Sequence, residues 1–187
     1  MSRVGWLMLL AVVLAPALRA ADARMALEDL LDHPEILRGR FEQEKQISGF
    51  RNVLRSEGRF LVVRGRGILW QTDKPFPASW RIVAGRSSEQ TVPGLGEWLE
   101  ALLQMDITRL EREFDIELSV DQGQWAARLS PQSATLVERI RRIELRGDRR
   151  VRAVAFEDGL GNKTKVRLIH LESADPSLTE AEAASLD

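Results

Sequence analysis

Between Gly58 and Ala84 apolar and polar positions alternate with a period of two, and that spacing sends Phe60, Val62, Ile68, Trp70, Trp80 and Ile82 to one face of a sheet. The runs Gly58 to Arg64 and Gly67 to Thr72 read as paired strands, with Arg64-Gly65-Arg66-Gly67 as the tight turn between them. Both strands are apolar on both faces as well, which predicts a sheet that is covered. A third strand follows from Ser79 to Ala84, beyond a loop, Thr72 to Pro77, that carries two prolines. Upstream, Arg40 to Gln46 predicts an exposed first strand and Ile47 to Asn52 a turn.

Helical spacing occurs in two places. Met25, Leu27, Leu30 and Leu31 predict a short amphipathic helix over Arg24 to His33, ended by Pro34. After a break at Pro93-Gly94-Leu95-Gly96, the residues Trp98, Leu99, Leu102, Leu103 and Met105 fall largely on one face of a helix from Glu97 to Met105.

The second half returns to period two. Phe114, Ile116, Leu118 and Val120 alternate with acids and a serine, and Trp125, Ala127 and Leu129 follow a turn at Asp121 to Gln124, an antiparallel hairpin with one wet face. Strands around Ile143 and Leu145, from Val151 to Phe156 and from Thr164 to Leu171 complete the pattern. The tail spells a capping box, Ser177-Leu178-Thr179-Glu180, ahead of a short acidic helix. The expected fold is mostly β with α: one open, curved antiparallel sheet of roughly eight to eleven strands covered by helices, curved because strands twist.

The amino terminus changes the picture of where this domain works. Arg3, the apolar run Trp6 to Ala15, Pro16 and the small residues up to Ala23 form a secretory signal peptide over residues 1–23. Its apolar core falls short of the roughly 20 residues that a spanning helix needs. Cleavage after Ala23 fits best, with a cut after Ala20 as the alternative. Residues 24–187 then form a single domain that is not membrane-spanning, expected in the periplasm as a monomer.

Charge and chemistry narrow the function classes. Net charge is −1, and the chain has no cysteine, which removes disulfides, thiolate catalysis and a lipidated amino terminus. His33 and His170 lie far apart and in no metal-ligand spacing, no Gly-x-Ser-x-Gly elbow occurs, and Gly65-Arg66-Gly67 lacks the rest of a dinucleotide fingerprint. No catalytic residue, metal or cofactor is therefore expected, and the chain reads as a non-enzyme. Seven arginines between Arg139 and Arg152 read either as a solvated face or as a dock for an anionic surface or an acidic partner. Without aromatic residues beside them nucleic acid is not expected.

Leu37 to Ala84 resembles the periplasmic lipoprotein-carrier family typified by LolA. The likeness runs from Phe41-Glu42-Gln43 through the glycine-led strand Gly58 to Val63 and Arg64, then to Trp70 in the apolar strand from Ile68, and on through Lys74-Pro75-Phe76 to Val83. Two features depart from the family pattern: Gly65 stands where a proline usually follows the arginine, and the next strand is reduced to Ala84 to Ser88. The resemblance implies a half-wrapped barrel with a helical lid over an apolar cavity. It implies cargo contacts from Phe41, Phe60, Val62, Ile68, Trp70, Trp80, Ile82 and Trp98, with Arg64 holding the lid shut. The implied partners are the acyl chains of a lipoprotein or another lipid, an inner-membrane exporter and an outer-membrane acceptor. The alternative is a periplasmic sensor or binding module that uses the same sheet for recognition without transport.

Overall fold

A computed structural model describes residues 14–83, 86–87, 98–172 and 177–186. Ten strands form one antiparallel sheet: β1 (Ile36–Gln46), β2 (Val53–Val63), β3 (Gly67–Lys74), β4 (Ala78–Val83), β5 (Arg86–Ser87), β6 (Phe114–Asp121), β7 (Gln124–Pro131), β8 (Ile140–Gly147), β9 (Val151–Asp158) and β10 (Lys163–Glu172). Their spatial order is β5-β4-β3-β2-β1-β10-β9-β8-β7-β6, so two meanders meet where β1 pairs with β10. Five helical segments accompany the sheet: α1 (Leu14–Leu30), α2 (Leu99–Gln104), α3 (Ile107–Leu110), α4 (Ala134–Val137) and α5 (Glu180–Leu186).

The sheet curls around α2. At one end of this helix Trp98 meets Phe114 of the edge strand β6, ring centroids 5.4 Å apart. At the other end Leu103 and Met105 line a cleft shared with Leu37 of β1 and Val62 of β2. A six-residue helix is about 9 Å long, whereas β6 and β2 lie six strand spacings apart, roughly 29 Å on a flat sheet. Only a strongly bent sheet brings both within its reach.

Period two works as expected, with one apolar layer on each face where both are covered. The inner layer joins Phe41, Phe60, Val62, Ile68 and Trp70 to Leu102, Leu110, Phe114, Leu129, Ile143 and Leu145. The outer layer is smaller: Ile36, Leu61, Val63 and Leu69 pack under Leu178 and Leu186 of the carboxyl-terminal segment. This explains why β1 begins at Ile36 rather than Arg40, since Ile36 and Leu37 are buried on opposite faces.

Several expectations need correction. Helix α1 starts ten residues before Arg24 and stops at Leu30, short of His33. β2 begins at Val53, five residues before Gly58, where the alternation predicts its start. The capping box of α5 is Thr179 with Glu182, not Ser177 with Glu180: Thr179 N donates to Glu182 Oε2 at 2.8 Å and Glu182 N donates to Thr179 Oγ1 at 3.2 Å. Helices α3 and α4 were not foreseen. The break at Pro93 to Gly96 lies outside the described residues.

Candidate functional site

The inner face of β1 to β4 is built by register. Phe60 is paired with Trp70 and Trp70 with Trp80, while Val62 is paired with Ile68 and Ile68 with Ile82. Two cross-strand ladders therefore run side by side on one face, as the alternation demands. Phe41 joins them from β1, opposite Gly58, and stacks on Trp70 with centroids 4.1 Å apart; Phe60 stacks on the same ring at 5.6 Å. Gly58 makes this possible, because a Cβ there would lie 1.9 Å from the Gln71 carbonyl oxygen and 2.9 Å from the Phe41 ring. Trp80 and Ile82 are half-buried against this layer. Trp98 sits elsewhere in the layer, edge-on to Phe114 and under the Arg139 guanidinium, 5.3 Å from its ring.

The roof over this face is short. Helix α2 buries Leu99, Ala101, Leu102 and Leu103, ends at Met105 in the left-handed region, and is followed by α3, which buries Ile107 and Leu110 under an Asp106 cap. Among the described residues its polar ties to the sheet are few. The Gly65 backbone N–H donates to Glu100 Oε1 at 3.2 Å, and Glu100 also faces Arg109 at 3.4 Å.

A standing hollow is expected beneath this roof, and among the described residues the space is filled. The ladder side chains and the leucines of α2 meet directly, leaving beside Val62, Leu103 and Met105 a cleft of only about 20 Å³, about the room of a single water molecule. Gln104 and Arg150 line that cleft, and Gln104 Nε2, Arg150 Nε and Trp98 Nε1 are buried with no hydrogen-bond partner among the described residues. Gln104 gives no sequence signal of its own, and Arg150 shows only as one of the seven clustered arginines, because neither belongs to a periodic apolar pattern.

Arg64 lies on this cleft's edge, in the β2–β3 turn. Its backbone N–H donates to the Glu35 carbonyl at 3.0 Å, while its exposed guanidinium makes no hydrogen bond or ion pair among the described residues. The contact between this turn and α2 comes instead from its neighbour Gly65.

The arginine cluster is largely paired within the fold. Arg149 and Arg150 both reach Asp32, at 2.7 and 3.3 Å, Arg152 pairs with Asp148 and Arg141 with Glu157. The Arg149 hydrogen bond holds the Asp32 carboxyl below its usual range, with the charges of both arginines acting in the same direction against partial burial. This ties the segment after α1 to the β8–β9 turn. A separate groove of about 800 Å³ crosses β1, β2, β3 and β10 near their hairpin ends, lined mainly by charged residues such as Glu44, Arg55, Glu57, Lys74 and Lys165. Among the described residues no group of three or more acids and histidines is placed to hold a metal ion, and no helix is long and apolar enough to cross a membrane.

No protein-family model and no curated protein matches the chain. Solved structures do. A LolA superfamily protein from Nitrosomonas europaea is similar over 87% of this chain and 96% of its own, at 7% identity and a TM-score of 0.49. Pseudomonas aeruginosa MucB, in its complex with MucA, is 15% identical over 86% of this chain with a TM-score of 0.47, and this chain spans 62% of it. A putative outer membrane lipoprotein-sorting protein domain from Vibrio parahaemolyticus is 12% identical over 86% of this chain and 94% of its own, with a TM-score of 0.41. These are likenesses in the path of the chain.

Proposed function

We propose that this protein is a periplasmic binder and carrier of acyl chains, which enter between the inner face of β1–β4 and the α2–α3 roof and displace that roof. One observation carries the reading: among the described residues an aromatic and aliphatic sheet face is covered by two helices of six and four residues with few polar ties to the sheet. A chain of about fifteen methylenes costs on the order of 12 kcal/mol to expose to water. Surrendering the roof's own leucines to water costs energy of the same kind. Exchange of one apolar occupant for another keeps binding reversible, which a carrier needs. Arg64, Gln104 and Arg150, with donors free at the cleft, can take the ester or carboxylate oxygens at the polar end of the ligand.

The test is native mass spectrometry of protein purified from the cell envelope, with titration of parinaric acid into delipidated protein. Bound acyl species of defined mass and saturable parinaric acid fluorescence are expected. Arg64→Leu should fold normally and change the rate of ligand release; release at the wild-type rate removes the role assigned to this side chain.

A second reading, a sensor or binding module that recognises its partner without carrying lipid, is favoured by the filled interior. Protein that leaves the envelope free of acyl species and ignores parinaric acid selects it.

A further inference from the structure

Seven large hydrophobic side chains are exposed among the described residues, and six of them lie on one rim of the sheet: Phe50, Val53, Leu54, Phe76, Val137 and Leu160. Phe50, Val53 and Leu54 belong to the β1–β2 hairpin, Phe76 to the β3–β4 turn, Leu160 to the β9–β10 turn and Val137 to α4, between β7 and β8. The sheet order places these four connections side by side at the same end of the strands. Phe76 and Leu160 are each 80% exposed and Phe50 68%, so these side chains stand in water.

The rim is held together laterally. Ser48 N donates to Asn162 Oδ1 at 2.9 Å, linking the β1–β2 and β9–β10 turns, and Gly159 N donates to the Arg139 carbonyl at 3.0 Å, linking the latter to the α4–β8 connection. Asp158 accepts from the backbone N–H groups of Leu160 and Asn162 at 3.0 and 2.9 Å and fixes the turn that lifts Leu160. The apolar tips are therefore presented by ordered turns.

Charge on the rim is unbalanced once its internal pairs are removed. Glu44 is paired with Arg55, Glu57 with Lys74 and Glu157 with Arg141. Arg51, Lys163 and Lys165 have no acidic partner among the described residues, against two acids beside the same turns that have no basic partner, Glu138 and Asp158, the second of them held by backbone N–H groups.

We propose that this rim docks on the surface of a phospholipid bilayer carrying anionic headgroups. Separate apolar tips on four neighbouring turns match a fluid interface, where each side chain sinks independently, and the unpaired bases beside them meet the headgroup phosphates. The rim is built from turns that the acyl-chain reading does not use, so docking stands or falls without it.

Vesicle co-sedimentation tests the proposal on the chain from residue 24 onward. Binding is expected at low salt to phosphatidylethanolamine–phosphatidylglycerol vesicles and to be much weaker on phosphatidylcholine alone. The double variant Phe76→Ser, Leu160→Ser should bind about tenfold more weakly, with its circular dichroism and thermal melt unchanged because both residues are exposed. Arg51→Gln with Lys163→Gln should flatten the salt dependence. Failure of the wild type to sediment with the anionic vesicles, or wild-type binding by the double serine variant, overturns the proposal. So does a rim that joins two copies of the chain, shown by a dimer that the serine variant converts to monomer while neither form binds vesicles.

Discussion

Glu182 concentrates several interactions in one carboxylate. Arg38 reaches it with Nε at 3.0 Å and Nη2 at 2.6 Å, and the Thr179 backbone N–H donates to it as well. The Arg38 hydrogen bonds, opposed by partial burial and helped by Thr179, hold its pKa down to about 2. A depressed carboxylate stabilises the fold above its unfolded pKa, near 4.5, and that contribution is lost as pH falls toward 2. Urea titrations should therefore show Glu182→Gln less stable by about 1–3 kcal/mol at pH 7, with the gap closing as pH falls through that window. Gly58 fails in a different way. The backbone contact at 1.9 Å leaves no room for a methyl group, and Gly58→Ala should lower stability by about 2–4 kcal/mol in chemical denaturation.

Helix α2 is both core and cover, and its leucines separate the two roles. Leu102 is fully buried, so Leu102→Ala should cost about 2–5 kcal/mol of stability. If α2 must leave for a ligand to enter, the same change should strengthen parinaric acid binding, because it weakens the closed form alone. A fall in both stability and ligand binding would show that α2 does not move. Elements of this kind were legible to different depths. The strands and α2 follow from the alternation of residues such as Phe60, Val62, Ile68 and Trp70, because burial on one face imposes a period on the sequence. Four-residue helices such as α3 and α4 complete barely one turn and carry no period. The cap of α5 was misplaced because both Ser177 and Thr179 precede a glutamate by three residues, and the choice depends on Arg38, far away in the chain. Periodicity also tells which face is buried without telling how closely the cover approaches, so the filled interior beneath Leu102 and Leu103 could not be read. The rim was invisible for a related reason: only the strand order puts Phe50 and Leu54 beside Phe76 and Leu160.

At the scale of the molecule, the sheet is protected differently on its two sides. Among the described residues the inner side is roofed by α1, α2 and α3, while the outer side near β1–β3 is covered by Leu178 and by the seven-residue helix α5, whose Leu186 packs on Ile36, Leu61 and Val63. Truncation after Glu172 should bare that second layer and raise binding of the dye ANS with little change in far-ultraviolet circular dichroism. Unchanged ANS fluorescence would mean that α5 does not cover those side chains in solution. The strand order also has a temporal side. β1, among the earliest strands to leave the ribosome, has β10, the last strand of the sheet, as its second neighbour, with Phe41 opposite Leu168 and Glu44 opposite Lys165. Each meander can zip locally, but the seam between them must wait until β10 has been made. Until then one flank of β1 is an unsatisfied edge that invites foreign strands, and a holdase that shields it during synthesis should raise the yield of native protein.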